Sequence, residues 1–181
     1  QIMLKSKKTA LIVIDVQGKL AQLMYAKQTL FENLRKIIKG VQALGVPILW
    51  LEQNPEGLGP TIPEVSELLT SIEPISKSSF SGCRNERFVQ ALKNANRNQV
   101  LIVGIEAHVC VYQTAVGLVE LGYKVEVVTD AVSSRTIENK KVALQKMRDI
   151  GVNLTSTEMA LFELLQVAEG EQFKEILKLV K

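Results

Sequence analysis

Residues 99–110 read QVLIVGIEAHVC and predict a buried strand, a tight turn and the start of a helix. The apolar run at 100–103 is typical of a strand covered on both faces, and Gly104 marks the turn that follows it. Cys110 falls where the free amides and the positive dipole end of a helix meet, which favours negative charge. We therefore expect a lowered pKa for the Cys110 thiol and identify it as a candidate nucleophile.

The rest of the chain alternates between strand and helix patterns. Strands are predicted at 10–16, 46–51, 72–75, 99–103, 124–128 and 152–154, and helices at 30–44, 64–69, 86–93, 110–121, 137–150, 157–167 and 173–180. This alternation predicts an α/β protein, a three-layer α/β/α sandwich around a six-stranded, mainly parallel sheet of Rossmann-like type. No repeat or linker interrupts it, so residues 1–181 are predicted to form one domain, with 1–8 as an N-terminal lead-in.

The composition excludes several classes of protein. The chain has 181 residues, is 46% hydrophobic and 23% charged, and carries a formal charge of +3 from dispersed basic residues, which disfavours nucleic acid as a partner. No apolar run approaches the roughly 20 residues of a membrane span. The two cysteines, Cys83 and Cys110, form no disulfide pattern, and the N-terminus does not resemble a signal peptide, so we expect a cytoplasmic setting.

Five chemically capable residues stand at predicted strand ends, where the site of an open parallel sheet lies: Asp15, Glu52, Lys77, Cys110 and Asp130. A cysteine hydrolase needs a thiol nucleophile, a group that takes and returns its proton, and a cation. Each of these candidate residues also has an ordinary structural interpretation when it is considered alone. A single Cys is often a small core residue, and a single Asp is often a helix cap. The catalytic hypothesis therefore depends on Asp15, Lys77 and Cys110 meeting at one sheet edge.

Four short motifs carry a resemblance to a known family: LIVIDVQ at 11–17, ISK at 75–77, GIEAHVCV at 104–111 and TDA at 129–131. In this order and spacing the chain resembles the isochorismatase-like cysteine hydrolases, which include nicotinamidases and N-carbamoyl-amino-acid amidases. The resemblance covers nearly the whole chain and implies the isochorismatase-like hydrolase fold. It also implies that Cys110 is the nucleophile, Asp15 the general base and acid, and Lys77 the third member of the triad.

The resemblance implies further features of the site. A cis peptide bond is expected between Ile105 and Glu106, and the backbone N–H groups of Glu106 and Cys110 are expected to form the oxyanion hole. A homo-oligomer is also expected. Nicotinamidases of this family bind a metal through an Asp and histidines after the second strand, but here that position reads WLEQN, and the single histidine, His108, lies elsewhere. We therefore expect no metal and no cofactor.

True isochorismatases cleave a vinyl ether and lack the cysteine, so Cys110 favours acyl chemistry. We predict a metal-independent hydrolase of an amide or related small acyl compound, acting through a thioester. The alternative is a non-catalytic protein that retains the fold and binds a small molecule or a partner. The residues expected to line the pocket and contact the substrate are Gln17, Glu52, Gln53, Phe80 and His108. His108 is expected to form part of the pocket wall and not to act as the base.

Overall fold

The computed structural model describes residues 2–181 and contains one six-stranded sheet; residue 1 of the predicted lead-in lies outside the described part. The strands are β1 (Thr9–Ile14), β2 (Ile48–Gln53), β3 (Ile75–Lys77), β4 (Gln99–Ile105), β5 (Lys124–Ser133) and β6 (Asn153–Thr155). The sheet order is β3-β2-β1-β4-β5-β6, and every pairing is parallel. The predicted α/β sandwich is confirmed, and the sheet is entirely rather than mainly parallel.

Helices cover both faces of the sheet. They are α1 (Gly18–Gln22), α2 (Lys27–Ala43), α3 (Pro55–Leu58), α4 (Pro63–Ser66), α5 (Glu86–Ala95), α6 (Tyr112–Glu120), α7 (Ile137–Asp149), α8 (Thr157–Leu165) and α9 (Gly170–Val180). None of the helices within residues 2–181 combines the length and the apolar character needed to cross a bilayer.

Strand β1 lies at the centre of the sheet and is almost completely buried. Because successive side chains of a strand point to opposite faces, its residues contribute to two separate cores. Leu11 and Val13 join the core that includes residues of α2, α8 and α9. Ile12 and Ile14 join the opposite core, with residues of α5, α6 and α7. The continuous apolar run of β1 therefore reflects burial on both sides.

The strand order reverses its direction between β1 and β4. The chain proceeds from β1 outward to β2 and β3, then returns to the centre and proceeds outward on the other side through β4, β5 and β6. In open α/β sheets the crevice at the carboxyl ends of such neighbouring strands is the usual place for a site. The residues that follow Ile14 and Ile105 stand at this point.

Most element boundaries differ from the sequence-based predictions by a few residues, the short helices α1 and α3 were not predicted, and three differences are larger or concern the site. A π-helical turn (Ala107–Val111) precedes α6, so Cys110 lies in a wider turn rather than in the first turn of an α-helix. The short strand predicted at 72–75 is found at Ile75–Lys77, because Ser76 and Lys77 pair with the last residues of β2. Strand β5 continues past the predicted 124–128 to Ser133, after a register irregularity opposite β4.

Gly104 allows β4 to pass close to β1. Its φ is +124°, and a Cβ there would lie 2.0 Å from the Ile14 carbonyl oxygen and 2.8 Å from the Ile14 nitrogen. Gly45, after α2, also has positive φ (+72°) but has no atom within 4 Å of the corresponding position. We expect Gly104→Ala to lower the free energy of unfolding by at least about 3 kcal/mol and Gly45→Ala by about 1 kcal/mol, as measured by urea denaturation. Equal losses would contradict a backbone clash at Gly104.

Candidate active site

Four polar side chains from separate segments meet at the carboxyl edge of the central strands. Asp15 follows β1 in a left-handed conformation with φ +52°. Gln53 and Lys77 are the last residues of β2 and β3 and are paired with each other in the sheet register. Cys110 lies in the π-helical turn after β4. The structure therefore brings together the three predicted catalytic residues, although they are far apart in the chain.

Lys77 and Asp15 form a buried ion pair. The distance between Lys77 Nζ and Asp15 Oδ2 is 2.6 Å, and the two side chains are 0% and 3% exposed. Lys77 Nζ also donates to Gln53 Oε1 at 3.1 Å and to the Ser79 carbonyl oxygen at 3.0 Å. An ammonium group has three protons and no acceptor, so these contacts satisfy it fully. The buried charge of Lys77 is therefore compensated both by a carboxylate and by hydrogen bonds.

The Cys110 thiol lies beside this pair. Cys110 is 7% exposed, and its Sγ donates to Gln53 Oε1 at 3.1 Å. Burial raises the pKa of the thiol to about 12, and the negative charge of Asp15 adds to this effect, while Lys77 opposes it. The lowered pKa expected from the helix start is therefore wrong, because desolvation and a neighbouring carboxylate outweigh the helix dipole. At neutral pH the resting group is the neutral thiol.

Asp15 is suited to accept a proton. Burial raises the pKa of its carboxyl group above the ordinary value, and the charge and hydrogen bond of Lys77 oppose the increase. Within residues 2–181, Asp15 Oδ1 is buried and has no hydrogen-bond partner, whereas Oδ2 is bound to Lys77. Asp15 and Cys110 each shift the pKa of the other, so the thiol is within range of this carboxylate. The free Oδ1 is an available position for the thiol proton.

The turn before Cys110 contains the cis peptide bond that the resemblance implies. The peptide bond between Ile105 and Glu106 is cis. The Glu106 side chain is mostly buried, and its Oε2 accepts hydrogen bonds from the backbone N and the Nε of Arg135, at 3.0 and 3.1 Å. This attachment joins the turn before Cys110 to the residues that follow β5.

Gln17 and Glu52 contact the chain itself rather than an open recess. Gln17 is fully buried; its Nε2 donates to the carbonyl oxygens of Gln53 and Gly59 at 3.0 and 2.8 Å, and its Oε1 accepts from the Gln53 backbone N at 2.7 Å. Glu52 Oε2 accepts from the backbone N and Oγ1 of Thr61 at 2.8 and 2.7 Å. The polar atoms of Gln17 and the Oε2 of Glu52 thus hold the segment 54–61 against the sheet, and a substrate contact of either residue stays a prediction.

Phe80 and His108 lie outside the buried cluster. Phe80 is 48% exposed and borders a surface cavity of about 460 Å³. His108 Nδ1 lies 2.9 Å from Ser134 Oγ, at the end of β5. His108 is thus hydrogen-bonded to a hydroxyl group and not to the Cys110 thiol, whose polar contact is Gln53. A substrate contact of either residue stays a prediction.

Sequence reasoning named Gln53 as pocket lining and missed its contact with the Cys110 thiol. The signal was available in the strand pattern, because a residue at the end of β2 is a neighbour of the residues at the ends of β1 and β3. Within the described residues no group of three or more His, Cys, Asp or Glu side chains is arranged to hold a metal ion. Glu52, the carboxylate in the WLEQN segment, is bound to Thr61 through Oε2.

Comparison of the sequence with known proteins identifies the family of this chain. The family model described as the Isochorismatase domain matches residues 9–159. Isochorismatase domain-containing protein 2 of Danio rerio is 36% identical over 178 residues, which cover 98% of this chain and 89% of that protein.

Solved structures give the same result for the fold. A structure described as the MAR1 ribonuclease of Caenorhabditis elegans superposes with a TM-score of 0.92 at 36% identity, covering 98% of this chain and 92% of the other. The YcaC gene product of Escherichia coli, described as an octameric hydrolase of unknown specificity, superposes with a TM-score of 0.94 over 99% of this chain and 89% of its own. At 23% identity that likeness concerns the fold alone. The chain therefore belongs to the isochorismatase family.

Proposed function

We propose that the protein is a metal-independent cysteine hydrolase that cleaves an amide or a related small acyl compound through a thioester on Cys110. The observation that carries the proposal is the buried cluster of Asp15, Lys77 and Cys110 at the point where the strand order reverses. A carboxylate and an ammonium group are costly to bury, even as a pair, and here they are buried beside a thiol. Their joint burial therefore supports a chemical role for the group.

In the first step Cys110 Sγ attacks the substrate carbonyl carbon while its proton moves to Asp15 Oδ1. The raised pKa of Asp15 makes it a stronger base than an ordinary carboxylate, so it is better matched to a thiol that is neutral at rest. The negative charge that develops on the carbonyl oxygen is held by the backbone N–H groups of Glu106 and Cys110. Before the transfer, Lys77 lowers the pKa of Asp15 and so favours its ionised form. After the transfer, when Asp15 is neutral, the positive charge of Lys77 favours the negative charge that has formed on the substrate.

In the second step the carbon–nitrogen bond breaks and the departing amine takes the proton from Asp15. The acyl group then remains on Cys110 as a thioester. Water attacks the thioester, with Asp15 as the base that takes the water proton. The acid product leaves, and the proton on Asp15 returns to the Cys110 sulfur. Each proton that Asp15 accepts is thus returned within the cycle.

The experiment that tests the proposal is a search for the acyl-enzyme. The protein is incubated with primary amides, N-carbamoyl amino acids, small esters and RNA, quenched in acid, and examined by intact-mass and peptide mass spectrometry. We expect an acyl mass increment on Cys110 and none in Cys110→Ala. Cys83 is the internal control, because burial raises the pKa of its thiol to about 11 and it lies outside the cluster.

The alternative, a binding protein with the same fold, predicts a different result. Cys110 would then react with iodoacetamide at high pH, yet no compound class would give an adduct or a product. That result would contradict the hydrolase proposal. RNA is included because the Caenorhabditis elegans relative is described as a ribonuclease. Cleavage of RNA by Cys110→Ala would show that such an activity does not use the thiol.

We further propose that the protein forms a homo-oligomer and acts in the cytoplasm. The octameric description of the Escherichia coli relative supports the first point. The second is supported by the two cysteines, which are both free. A single species at the monomer mass in sedimentation would contradict the oligomer.

A further inference from the structure

One atom of Gln53, its side-chain oxygen, contacts two members of the buried cluster, Lys77 and Cys110. Its Oε1 lies 3.1 Å from Lys77 Nζ and 3.1 Å from Cys110 Sγ. An ammonium group can only donate, so the oxygen and not the NH₂ end of the amide faces this group. A carbonyl oxygen can only accept, so the Cys110 contact requires the sulfur to carry its proton. The arrangement therefore stabilises the neutral thiol.

The position of Gln53 is fixed from the backbone side as well. The fully buried Gln17 side chain binds both the N–H and the C=O of Gln53. In addition, Gln53 is paired in register with Lys77 between β2 and β3. The main chain of Gln53 is thus held by two constraints, the Gln17 side chain and the sheet register, and Lys77 Nζ holds the amide oxygen.

We propose, on the basis of the proposed hydrolase function, that Gln53 is a positioning residue that holds Cys110 as a thiol with its proton directed away from Asp15. This agrees with the contact between Cys110 Sγ and Gln53 Oε1, and with the burial of Asp15 Oδ1 without a hydrogen-bond partner in the described residues. When substrate enters, rotation about the Cβ–Sγ bond moves the S–H from Gln53 Oε1 to Asp15 Oδ1. The proton then passes to Asp15 as the carbon–sulfur bond forms.

A thiol held in this way reacts slowly with adventitious electrophiles. A thiolate beside Gln53 Oε1 would face the negative end of a carbonyl dipole, whereas the thiol donates to it. Gln53 therefore keeps Cys110 protonated until a substrate displaces this contact.

Two variants test the role with effects of opposite sign. Gln53→Met keeps the length of the side chain but removes the acceptor, so the pKa of Cys110 falls and alkylation by iodoacetamide at pH 8 becomes about threefold faster or more. Gln53→Glu keeps the acceptor and adds negative charge beside the thiol, so alkylation becomes about tenfold slower. Rates are measured from pH 6 to 11 in a Cys83→Ala background. Gln113→Met, an exposed change on α6, is the control and leaves the profile unchanged.

A purely structural role for Gln53 predicts that both variants shift the alkylation profile in the same direction or leave it in place, and either result would overturn the proposal. The isosteric Gln53→Glu variant keeps the test valid if Gln53→Met does not fold. Because alkylation needs no substrate, the experiment is independent of the search for the acyl-enzyme. Opposite shifts without any acyl adduct would overturn the hydrolase proposal alone.

Discussion

Hydrolysis is expected to fall by about 10³-fold or more in Asp15→Asn, while alkylation of Cys110 becomes faster. The asparagine oxygen still accepts from Lys77, but the side chain cannot take the thiol proton, so the acylation step loses its base. At the same time the negative charge that raises the pKa of Cys110 is removed. The pKa therefore falls from about 12, and the thiolate fraction at pH 7 increases.

The measurement compares product formation and iodoacetamide labelling of the same Asp15→Asn sample. Asp149→Asn, an exposed carboxylate at the end of α7, controls for the change in net charge and leaves both rates unchanged. If hydrolysis and alkylation decreased together, Asp15 would be a structural residue. If hydrolysis persisted, the base would have to be another group.

Lys77→Met is expected to lower the free energy of unfolding by about 3–5 kcal/mol, because it leaves the Asp15 carboxylate buried without its partner. Both side chains are almost fully buried, so solvent cannot replace the lost contact. The double variant Asp15→Asn/Lys77→Met removes the charge as well. It is expected to recover a large part of the stability in urea denaturation but none of the hydrolysis. A double variant as unstable as Lys77→Met would show that the loss arises from packing instead.

The loss in Lys77→Met depends on pH in a defined direction. Lys77 lowers the pKa of Asp15, so its removal raises that pKa further above the ordinary value. The unfolded chain then ionises near pH 4 while the folded state keeps its proton, so stability decreases as pH rises above about 4. We expect the variant to be closer to the parent protein at pH 5 than at pH 8. The double variant has no such carboxylate, so its difference from the parent should lack this trend.

Asp15, Lys77 and Cys110 could be predicted because their positions follow from topology. Each ends or follows a strand, and parallel strands present their carboxyl ends at one edge, so the convergence of these residues requires no knowledge of side-chain packing. The resemblance then distinguished them from other polar residues at strand ends. Glu52 shows the limit of this logic: it stands at the same edge, but position alone did not reveal that its Oε2 binds Thr61.

The protonation of Cys110 could not be predicted from the chain alone. A helix start favours a thiolate, whereas burial and the nearby Asp15 charge favour the thiol, and the balance depends on solvent exposure that no local pattern reveals. The π-helical turn at Ala107–Val111 was missed for a similar reason, since its apolar spacing is also compatible with an α-helix. The contact of Gln53 depends on side-chain direction, which strand assignment leaves open.

Gln17 fastens the segment that follows β2 by main-chain atoms only, the N–H and C=O of Gln53 and the C=O of Gly59. Every amino acid carries a main-chain carbonyl group, so these hydrogen bonds tolerate replacement of the intervening side chains. Glu56 is exposed and Leu58 is half-buried, and neither takes part in it. Side chains between Gln53 and Gly59 can therefore vary during evolution while Gln17 keeps the backbone of this segment in the same place.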